Sequence, residues 1–190
     1  VDMRNERIRA IDMDNVIQTV AGTGNKGFAG DGGDALSADF NFPKSTNPRP
    51  GGAIAIEGDL LYIADTENNR VRSIDLTTGL VQTVVGVGTA GFSGDGGDCA
   101  AAELNYPMDI EVEDGVLYIA DTDNNRVRAV DLATGIISTV VGSGEVGDEG
   151  DGALATEAQL YGPMGVEVDS LGAIYVADSY NHRWPRRWPR

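Results

Sequence analysis

Aspartate and arginine recur in this sequence at one fixed spacing, Asp-x4-Arg, in four places. The pairs are Asp2 and Arg7, Asp65 and Arg70, Asp121 and Arg126, and Asp178 and Arg183. An aspartate at the end of a strand can accept N–H groups from the following turn and pair with an arginine on the next strand. A catalytic group is needed once in a site, whereas these residues recur, so we expect them to be structural. Asn69 and Asn125 precede two of the arginines, and we expect them to form turns.

Aspartates in glycine-rich loops are the candidate ligands for a metal ion. Ca²⁺ prefers several carboxylate and carbonyl oxygens, which clustered aspartates in such loops can supply. The candidates are Asp31, Asp34, Asp95, Asp98, Asp148 and Asp151. No loop has the twelve-residue spacing of an EF-hand, and turns with positive φ explain the glycines independently. We therefore expect no cofactor, and a calcium ion stays open as the alternative.

The chain has one histidine and one cysteine, which limits other kinds of chemistry. His182 stands at the turn position of Asn69 and Asn125, and Cys99 stands where the other loops have alanine. We therefore predict that His182 is a turn residue and that Cys99 is a small packing residue. A single cysteine excludes an internal disulfide and a Cys-x-x-Cys site, and no Gly-x-Ser-x-Gly motif is present. These observations favour a protein without catalytic activity and leave an enzyme open.

Composition and charge exclude further classes. The net charge is −16, and four of the basic residues lie within the last eight positions, so the remainder is strongly acidic. Such a surface repels a phosphate backbone, and we expect no nucleic-acid partner. No apolar run approaches the ~18–20 residues of a membrane-spanning helix, so we expect no membrane insertion. The first residues do not resemble a signal peptide, so we expect no leader in this chain.

An internal repeat organises the chain. The segment Leu61–Asp75 recurs as Leu117–Asp131 and, changed, as Ile174–Arg183, and a glycine-rich segment repeats in phase with it. Alternating apolar residues and turn dipeptides such as Asp114-Gly115 predict four short strands, A to D, in each unit. In the middle unit these are Met108–Glu113, Val116–Asp121, Arg126–Leu132 and Ile136–Val141. We expect a helical turn near Ala100–Leu104, at the end of the glycine-rich segment.

The repeated pattern is Tyr-Ile-Ala-Asp-Thr-x-Asn-Asn-Arg-Val-Arg, preceded by Gly-Phe-x-Gly-Asp-Gly-Gly. It resembles the NHL repeat, in the bacterial version with a glycine-rich insert between blades, over nearly all of residues 1–183. The resemblance implies an all-β fold, a β-propeller of four-stranded antiparallel blades, commonly six, that acts mostly in binding or as a scaffold. Related propellers include calcium-dependent lactonases and lyases and a zinc-dependent lyase. Asp34 and Asp98 depart from the family pattern, which commonly has proline there.

Counting strands predicts three blades, one of them divided between the two ends of the chain. The parts are strands C and D in residues 1–21, whole blades in 51–86 and 107–142, and strands A and B in 163–183. A half-ring would expose apolar faces and strand edges. Two chains related by a two-fold axis would join the divided halves, so we predict a homodimer of 3 + 3 blades. The alternative is a fragment of a longer protein.

Residues 184–190 form a separate tail rich in Trp, Pro and Arg. Pro185 and Pro189 cannot donate to a strand ladder, so we expect no strand there and a vacant place for residues 7–12. We interpret the tail as a terminus without function. The alternative is that Trp184 and Trp188 cover an apolar edge or stack on a partner.

Two functions remain open at this point. The first is a non-enzymatic scaffold that binds a protein or carbohydrate ligand, outside the cell or in the periplasm as the resemblance and the acidity imply. The second, also implied by the resemblance, is a calcium-dependent lactonase-like or lyase-like enzyme. It needs unique Glu, Asn and Asp side chains converging on the ring axis. Comparable places in strand A or at its end hold Glu57, Glu111 and Glu167. These glutamates recur from unit to unit, so none of them is unique.

Overall fold

The computed structural model describes residues 1–43 and 51–181 in full and the backbone alone of residues 183–188. Within these residues the chain forms β-strands joined by turns and single turns of 3₁₀-helix. The strands are β1 (Ile8–Ile11), β2 (Ile17–Ala21), β3 (Ile54–Glu57), β4 (Leu60–Asp65), β5 (Arg70–Asp75), β6 (Val81–Val85), β7 (Pro107–Glu113), β8 (Val116–Asp121), β9 (Arg126–Asp131), β10 (Ile136–Val141), β11 (Pro163–Val168), β12 (Ile174–Asp178) and β13 (Arg183–Trp188).

These strands form antiparallel sheets in which neighbours along the chain are neighbours in space. Strands β3 to β6 make one four-stranded sheet, and β7 to β10 make a second. Strands β11 to β13 make a three-stranded sheet, and β1 and β2 a two-stranded one. The all-β prediction and the prediction of four-stranded antiparallel units are confirmed.

Local sequence explains the strand boundaries. Asp114 and Gly115 have φ values of 52° and 74°, the left-handed pair that a tight two-residue hairpin requires between β7 and β8. Leu117 and Ile119 of β8 are fully buried, and so is Ala120 on the other face. A strand covered on both faces is largely apolar, as this one is from Val116 to Ala120.

The core lies between successive sheets and includes residues of the glycine-rich segments. One cluster packs Leu117, Ile119 and Val130 of the second sheet with Leu104 of the segment before it and Val71 of the first sheet. The first strands of successive sheets are neighbours, because β3 contacts β7 and β7 contacts β11. The sheets therefore pack face to face around their inner strands.

The glycine-rich segments close over the outer part of each sheet. At Gly94, which has φ 92°, an added Cβ would lie 2.7 Å from the Ala102 side chain, so only glycine fits there. The segment then forms the 3₁₀ turn Cys99–Ala101, whose first N–H groups include one that bonds to Asp98. The predicted helical turn therefore exists and begins one residue earlier than expected.

The tail differs from its prediction, because residues 183–188 form the strand β13. Arg183 lies opposite Asp178 and Arg186 lies opposite Val176, with a register shift between these pairs. Pro185 falls in that shift on an edge strand, where a missing N–H breaks no regular ladder bond. The expectation of a vacant place beside β12 is therefore wrong in this structure. Residues 44–50, His182 and Pro189 lie outside the described residues.

Candidate functional site

The aspartate at the end of each second strand is a buried hydrogen-bond acceptor. In the second sheet, Asp121 Oδ1 accepts the backbone N–H of Asn105 at 2.7 Å, and Oδ2 accepts the Asn124 amide at 2.8 Å. The Arg128 Nη1 atom lies 3.4 Å from the same Oδ2. Burial is the main influence on this carboxyl and raises its pKa to about 6, against the lowering effect of these partners.

The same arrangement recurs in the other sheets. Asp65 accepts the Asn41 N–H at 2.8 Å and the Asn68 amide at 2.8 Å, and burial raises its pKa to about 6. Asp178 accepts the Tyr161 N–H at 2.7 Å. Asp2, at the start of the chain, accepts the Asn5 amide. Asp65, Asp121 and Asp178 therefore tie the turn after each second strand to the end of a glycine-rich segment.

The asparagines before the arginines hold left-handed turns. Asn69 and Asn125 have φ values of 51° and 53°. Asn125 Oδ1 accepts the Gly162 N–H at 3.0 Å, which joins one sheet to the segment that leads into the next. Glu6 takes the same place at φ 49° and accepts the Phe42 N–H, but its buried Oε1 has no hydrogen-bond partner within the described residues.

The predicted pairing of these aspartates with the arginine five positions on is not what the structure has. Arg126 donates to the carbonyl oxygens of Gly142 and Ser143, and Arg70 donates to equivalent carbonyls at 2.9 and 2.6 Å. Arg7 donates to the Thr23 carbonyl at 2.9 Å. The Arg126 side chain extends from β9 toward the following glycine-rich segment. Its guanidinium therefore binds backbone carbonyl groups there. The Arg183 side chain lies outside the described residues.

The arginine two positions further along is the partner of the buried aspartate. Arg128 is fully buried, and its Nε and Nη2 atoms donate to Asp95 Oδ1 at 3.1 and 2.7 Å. Thr139 donates its hydroxyl to the other oxygen of Asp95 at 2.7 Å. We call this arrangement the Arg–Asp–Thr cluster. Arg72, Asp31 and Thr83 form the same cluster in the first sheet.

Sequence reasoning missed these clusters, although a signal was available. The second arginine of Arg-Val-Arg and the aspartate of Gly-Asp-Gly-Gly recur together in two repeats. Recurrence of two opposite charges in phase is the pattern that a repeated ion pair produces. The distance along the chain conceals the pair, since Asp31 and Arg72 are 41 residues apart.

The six candidate metal ligands have separate structural positions. Asp31 and Asp95 bind arginine, while Asp34 and Asp98 each accept an N–H in the first turn of a 3₁₀-helix at 2.9 Å. The remaining candidates, Asp148 and Asp151, are exposed on the third glycine-rich segment. Nowhere in the described ranges do three or more His, Cys, Asp or Glu residues form a group suited to a metal ion.

A cavity of about 310 Å³ lies where β7, β11 and β12 meet. Its lining includes Asp109, Glu167 and Tyr175. Asp109 Oδ2 accepts the Val166 N–H at 2.9 Å, and burial raises the pKa of this carboxyl. Burial, followed by repulsion from Glu167, also raises the pKa of the neighbouring Glu111. These carboxylates give the cavity a negative field that can attract a cationic group.

The glutamates considered from sequence do not share one position. Glu111 and Glu167 each lie opposite a tyrosine on the next strand, Tyr118 and Tyr175. Glu57 instead lies opposite Leu60 and accepts the Gly115 N–H at 2.8 Å. Asp109 was missed, because its position in the other sheets holds no carboxylate and nothing in the repeat marks it.

Among the residues described, no helix is both long enough and apolar enough to cross a membrane.

Comparison with known sequences identifies the repeat. Residues 160–183 match the NHL repeat. The chain is 33% identical over 150 residues to Protein SUPPRESSOR OF QUENCHING 1, chloroplastic, of Arabidopsis thaliana. This alignment covers 73% of the chain and 14% of that protein. It is 29% identical over 167 residues to NHL repeat-containing protein 2 of Bos taurus, covering 82% of this chain and 23% of the relative. The chain thus spans less than a quarter of either relative.

Solved structures share the fold at low sequence identity. A protein of unknown function from Bacteroides thetaiotaomicron matches with a TM-score of 0.70 and 20% identity, over 92% of this chain and 40% of that one. An auxiliary nutrient binding protein from Bacteroides ovatus matches with a TM-score of 0.66 and 20% identity, over 100% of this chain and 44% of the other. The chain therefore carries an NHL repeat, is similar to NHL-repeat proteins and has the fold of a β-propeller.

Proposed function

We propose that this chain is an NHL-repeat propeller module that acts as a binding or assembly scaffold and not as an enzyme. The observation that carries the proposal is that the recurring polar residues form hydrogen bonds and ion pairs inside the fold. Asp121, Asp95 and Arg128 bond to one another or to backbone, and their counterparts in the first sheet do the same. Groups held in this way stabilise the sheets. Their structural role supports a scaffold function for the repeats.

The binding surface that we propose is the inner cavity beside β7 and β11. Its carboxylates, Asp109 and Glu167, favour a ligand with positive charge, and Tyr175 offers an aromatic face to an alkyl or cationic group. Between a protein and a carbohydrate ligand, these charges favour a basic protein segment. The fold shared with a nutrient binding protein is compatible with a ligand-binding role.

A titration with a short lysine-rich peptide tests this surface. We expect saturable binding that weakens with salt and falls about tenfold in Glu167→Gln, because a close charge pair is lost. The matched control is Glu145→Gln, an exposed glutamate outside the cavity. Equal binding by both variants, or lactone turnover that requires calcium, would contradict the proposal. Binding of neutral oligosaccharides alone would assign the cavity to the other ligand class.

We also propose that two copies complete a six-bladed ring, and that this assembly works outside the cell or in the periplasm. Support comes from Ile11 and Ile17 of the sheet β1–β2, which form an exposed apolar pair that a second copy can cover. Nearly all of this chain matches only 40% and 44% of the two solved structures, so a larger ring can contain two such units. Light scattering should give a mass near twice 20.0 kDa. A mass of one chain at micromolar concentration would contradict the dimer.

A further inference from the structure

Two backbone contacts define equivalent residues on one side of the three repeats. The turn after each second strand donates an N–H to a carbonyl of the preceding glycine-rich segment at 3.0–3.1 Å. The donors and acceptors are Glu67 and Asn41, Asp123 and Asn105, and Tyr180 and Tyr161. A parallel bridge to the residue before each acceptor defines a further position, which is held by Lys26, Ala90 and Val146. These contacts establish which residues of the repeats correspond.

The third repeat has aromatic side chains where the others have polar ones. Lys26 and Glu67 of the first repeat form an ion pair with 2.9 Å between Nζ and Oε2. The second repeat has alanine, asparagine and aspartate at the three positions. In the third repeat, the rings of Tyr161 and Tyr180 contact each other, with centroids 5.0 Å apart and planes tilted by 49°. We call Val146, Tyr161 and Tyr180 the tyrosine patch.

The tyrosine patch is exposed to solvent. Val146 is 56% exposed, Tyr161 is 44% exposed and Tyr180 is 37% exposed. Glu67 and Asp123, which stand at the position of Tyr180, are also exposed, although a further sheet follows each of them in the chain. Exposure is therefore a property of this position in a complete repeat. Clustered exposed aromatic residues are typical of interaction sites, whereas single apolar residues are common on any surface.

The fold does not require the two tyrosines. The first two repeats form the same backbone bonds with an asparagine and an acidic residue in their place. Recurring polar residues such as Asp121 and Arg128 bond within the fold, whereas the aromatic pair is found in one of the three repeats. An exposed aromatic pair that the backbone bonds do not need indicates contact with another molecule.

Acidic side chains lie beside the tyrosine patch. Asp148 and Glu149 are exposed, and the first two repeats have phenylalanine followed by alanine or serine at these places. The Asn181 amide donates to the Gly147 carbonyl at 2.6 Å, which holds this part of the segment against the turn that carries one tyrosine. The Glu149 carbonyl accepts the Gln159 N–H at 2.9 Å, near the other tyrosine in the chain. The patch therefore combines aromatic faces with negative charge.

A basic partner fits this combination. A guanidinium group is planar and stacks on an aromatic face, while its N–H groups bind carboxylates. The net charge of −16 also attracts a basic partner and repels an acidic one. A neutral sugar ring stacks on tyrosine as well, but it makes no use of the negative charge. Charge therefore favours an arginine of a protein partner over a carbohydrate.

We propose that the tyrosine patch binds an arginine-bearing segment of a partner protein. The guanidinium stacks on the exposed ring of Tyr161 or Tyr180, and the carboxylates of Asp148 and Glu149 attract it to the third glycine-rich segment. This contact rests on the proposed binding role and adds a second surface to the inner cavity beside β7 and β11. It does not depend on the oligomeric state of the protein.

Fluorescence anisotropy of the labelled peptide Gly-Arg-Gly-Arg-Gly with the full chain tests this contact. The double variant with Tyr161→Asn and Tyr180→Asp carries the residues of the second repeat, so it keeps the backbone bonds and the acidic charge. We expect its dissociation constant to rise about tenfold, because the stacking of the cation on the rings is lost. Tyr180→Phe keeps the ring and should bind as the unaltered chain does. Equal affinity of the unaltered chain and the double variant would overturn the proposal.

A lysine peptide separates this contact from the inner cavity. Replacing both arginines of the peptide by lysine should weaken its binding to the unaltered chain about threefold, because an ammonium group does not stack as a planar cation does. The double variant should lose this preference for arginine, whereas Glu167→Gln should keep it. A loss of affinity in Glu167→Gln alone contradicts the tyrosine patch and leaves the cavity proposal intact. No loss in either variant contradicts both.

Thermal melts verify that the variants are folded, and the single variant Tyr161→Asn repeats the comparison with an unchanged net charge. Neutral oligosaccharides provide the remaining comparison. Oligosaccharide binding that needs the two tyrosines, without binding of the arginine peptide, would assign the patch to a carbohydrate and overturn the protein partner.

Discussion

Arg128 is fully buried, and its guanidinium contacts two carboxylates, Asp95 of the preceding glycine-rich segment and Asp121 at the end of the neighbouring strand β8. We expect Arg128→Met to lower the free energy of unfolding by about 3–5 kcal/mol, because Asp121 would stay buried without its cation. The matched control is Arg126→Met, which loses bonds to two carbonyl groups and should cost about 1 kcal/mol. Urea denaturation measures both. A larger loss for Arg126→Met would contradict this assignment of the ion pair.

Glu6 occupies a position where the other repeats have asparagine. One of its oxygens accepts the Phe42 N–H, and the other is buried without a partner in the described residues. Glu6→Gln keeps the accepting oxygen and removes a buried charge, so we expect a gain of about 1 kcal/mol in unfolding free energy. Thermal melts should show a higher midpoint for Glu6→Gln and an unchanged midpoint for the exposed control Glu145→Gln. A lower midpoint for Glu6→Gln would show that the carboxylate is needed.

At the scale of an element, the 3₁₀ turns of the glycine-rich segments differ in their first residue. Asp34 and Asp98 accept an N–H of the turn, whereas Leu154 makes no such bond in the third segment. We expect Asp98→Ala to cost about 1 kcal/mol, as for other side-chain caps. Leu154→Ala, which removes no cap, is the matched control, and urea denaturation compares the two. No difference between them would mean that the cap does not stabilise the turn.

The strands were predictable from sequence to different degrees. Complete strands such as β8 and β9 follow from apolar patterning and turn residues, because each has neighbours that cover both faces. Strand β13 does not follow, since Pro185 disfavours a strand by its own conformational preferences. A bulge beside the proline and the open edge of β12 decide its pairing, and both depend on the tertiary structure.

At the scale of the whole molecule, buried carboxyls set the pH dependence of stability. Asp65 and Asp121 have pKa values of about 6 in the folded chain, above the ordinary value of 3.8. The folded state therefore binds these protons more tightly than the unfolded state does. This contribution to stability is fully present below pH 4 and is lost as the pH rises through 6. Asp75 acts in the opposite sense, because turn N–H groups lower its pKa, but it is exposed.

We accordingly expect the protein to be more stable at pH 5 than at pH 7.5, and the high acidic charge acts in the same direction. Urea midpoints across this range measure the effect. Asp121→Asn should reduce the slope between pH 4 and 6, because the amide does not titrate. Greater stability at pH 7.5 than at pH 5 would show that the ion pairs outweigh burial.

Several properties of this protein follow from the sequence alone. The repeat spacing, the Asp-Gly and Asn-containing turns and the alternation of apolar residues predict antiparallel four-stranded units, because these signals act between residues close in the chain. The structural use of the recurring aspartates follows from their recurrence.

The tertiary structure decided which residues meet. Asp121 pairs with Arg128 and not with Arg126, and Asp95 pairs with the same arginine. Asp109 lies beside Glu167 in the inner cavity. The tertiary structure also paired β13 with β12. The contacts of Asp95 and Asp109 join segments tens of residues apart, whereas Asp121 and Arg128 meet across neighbouring strands. All of them depend on how the strands and sheets pack. Local patterning does not contain that information.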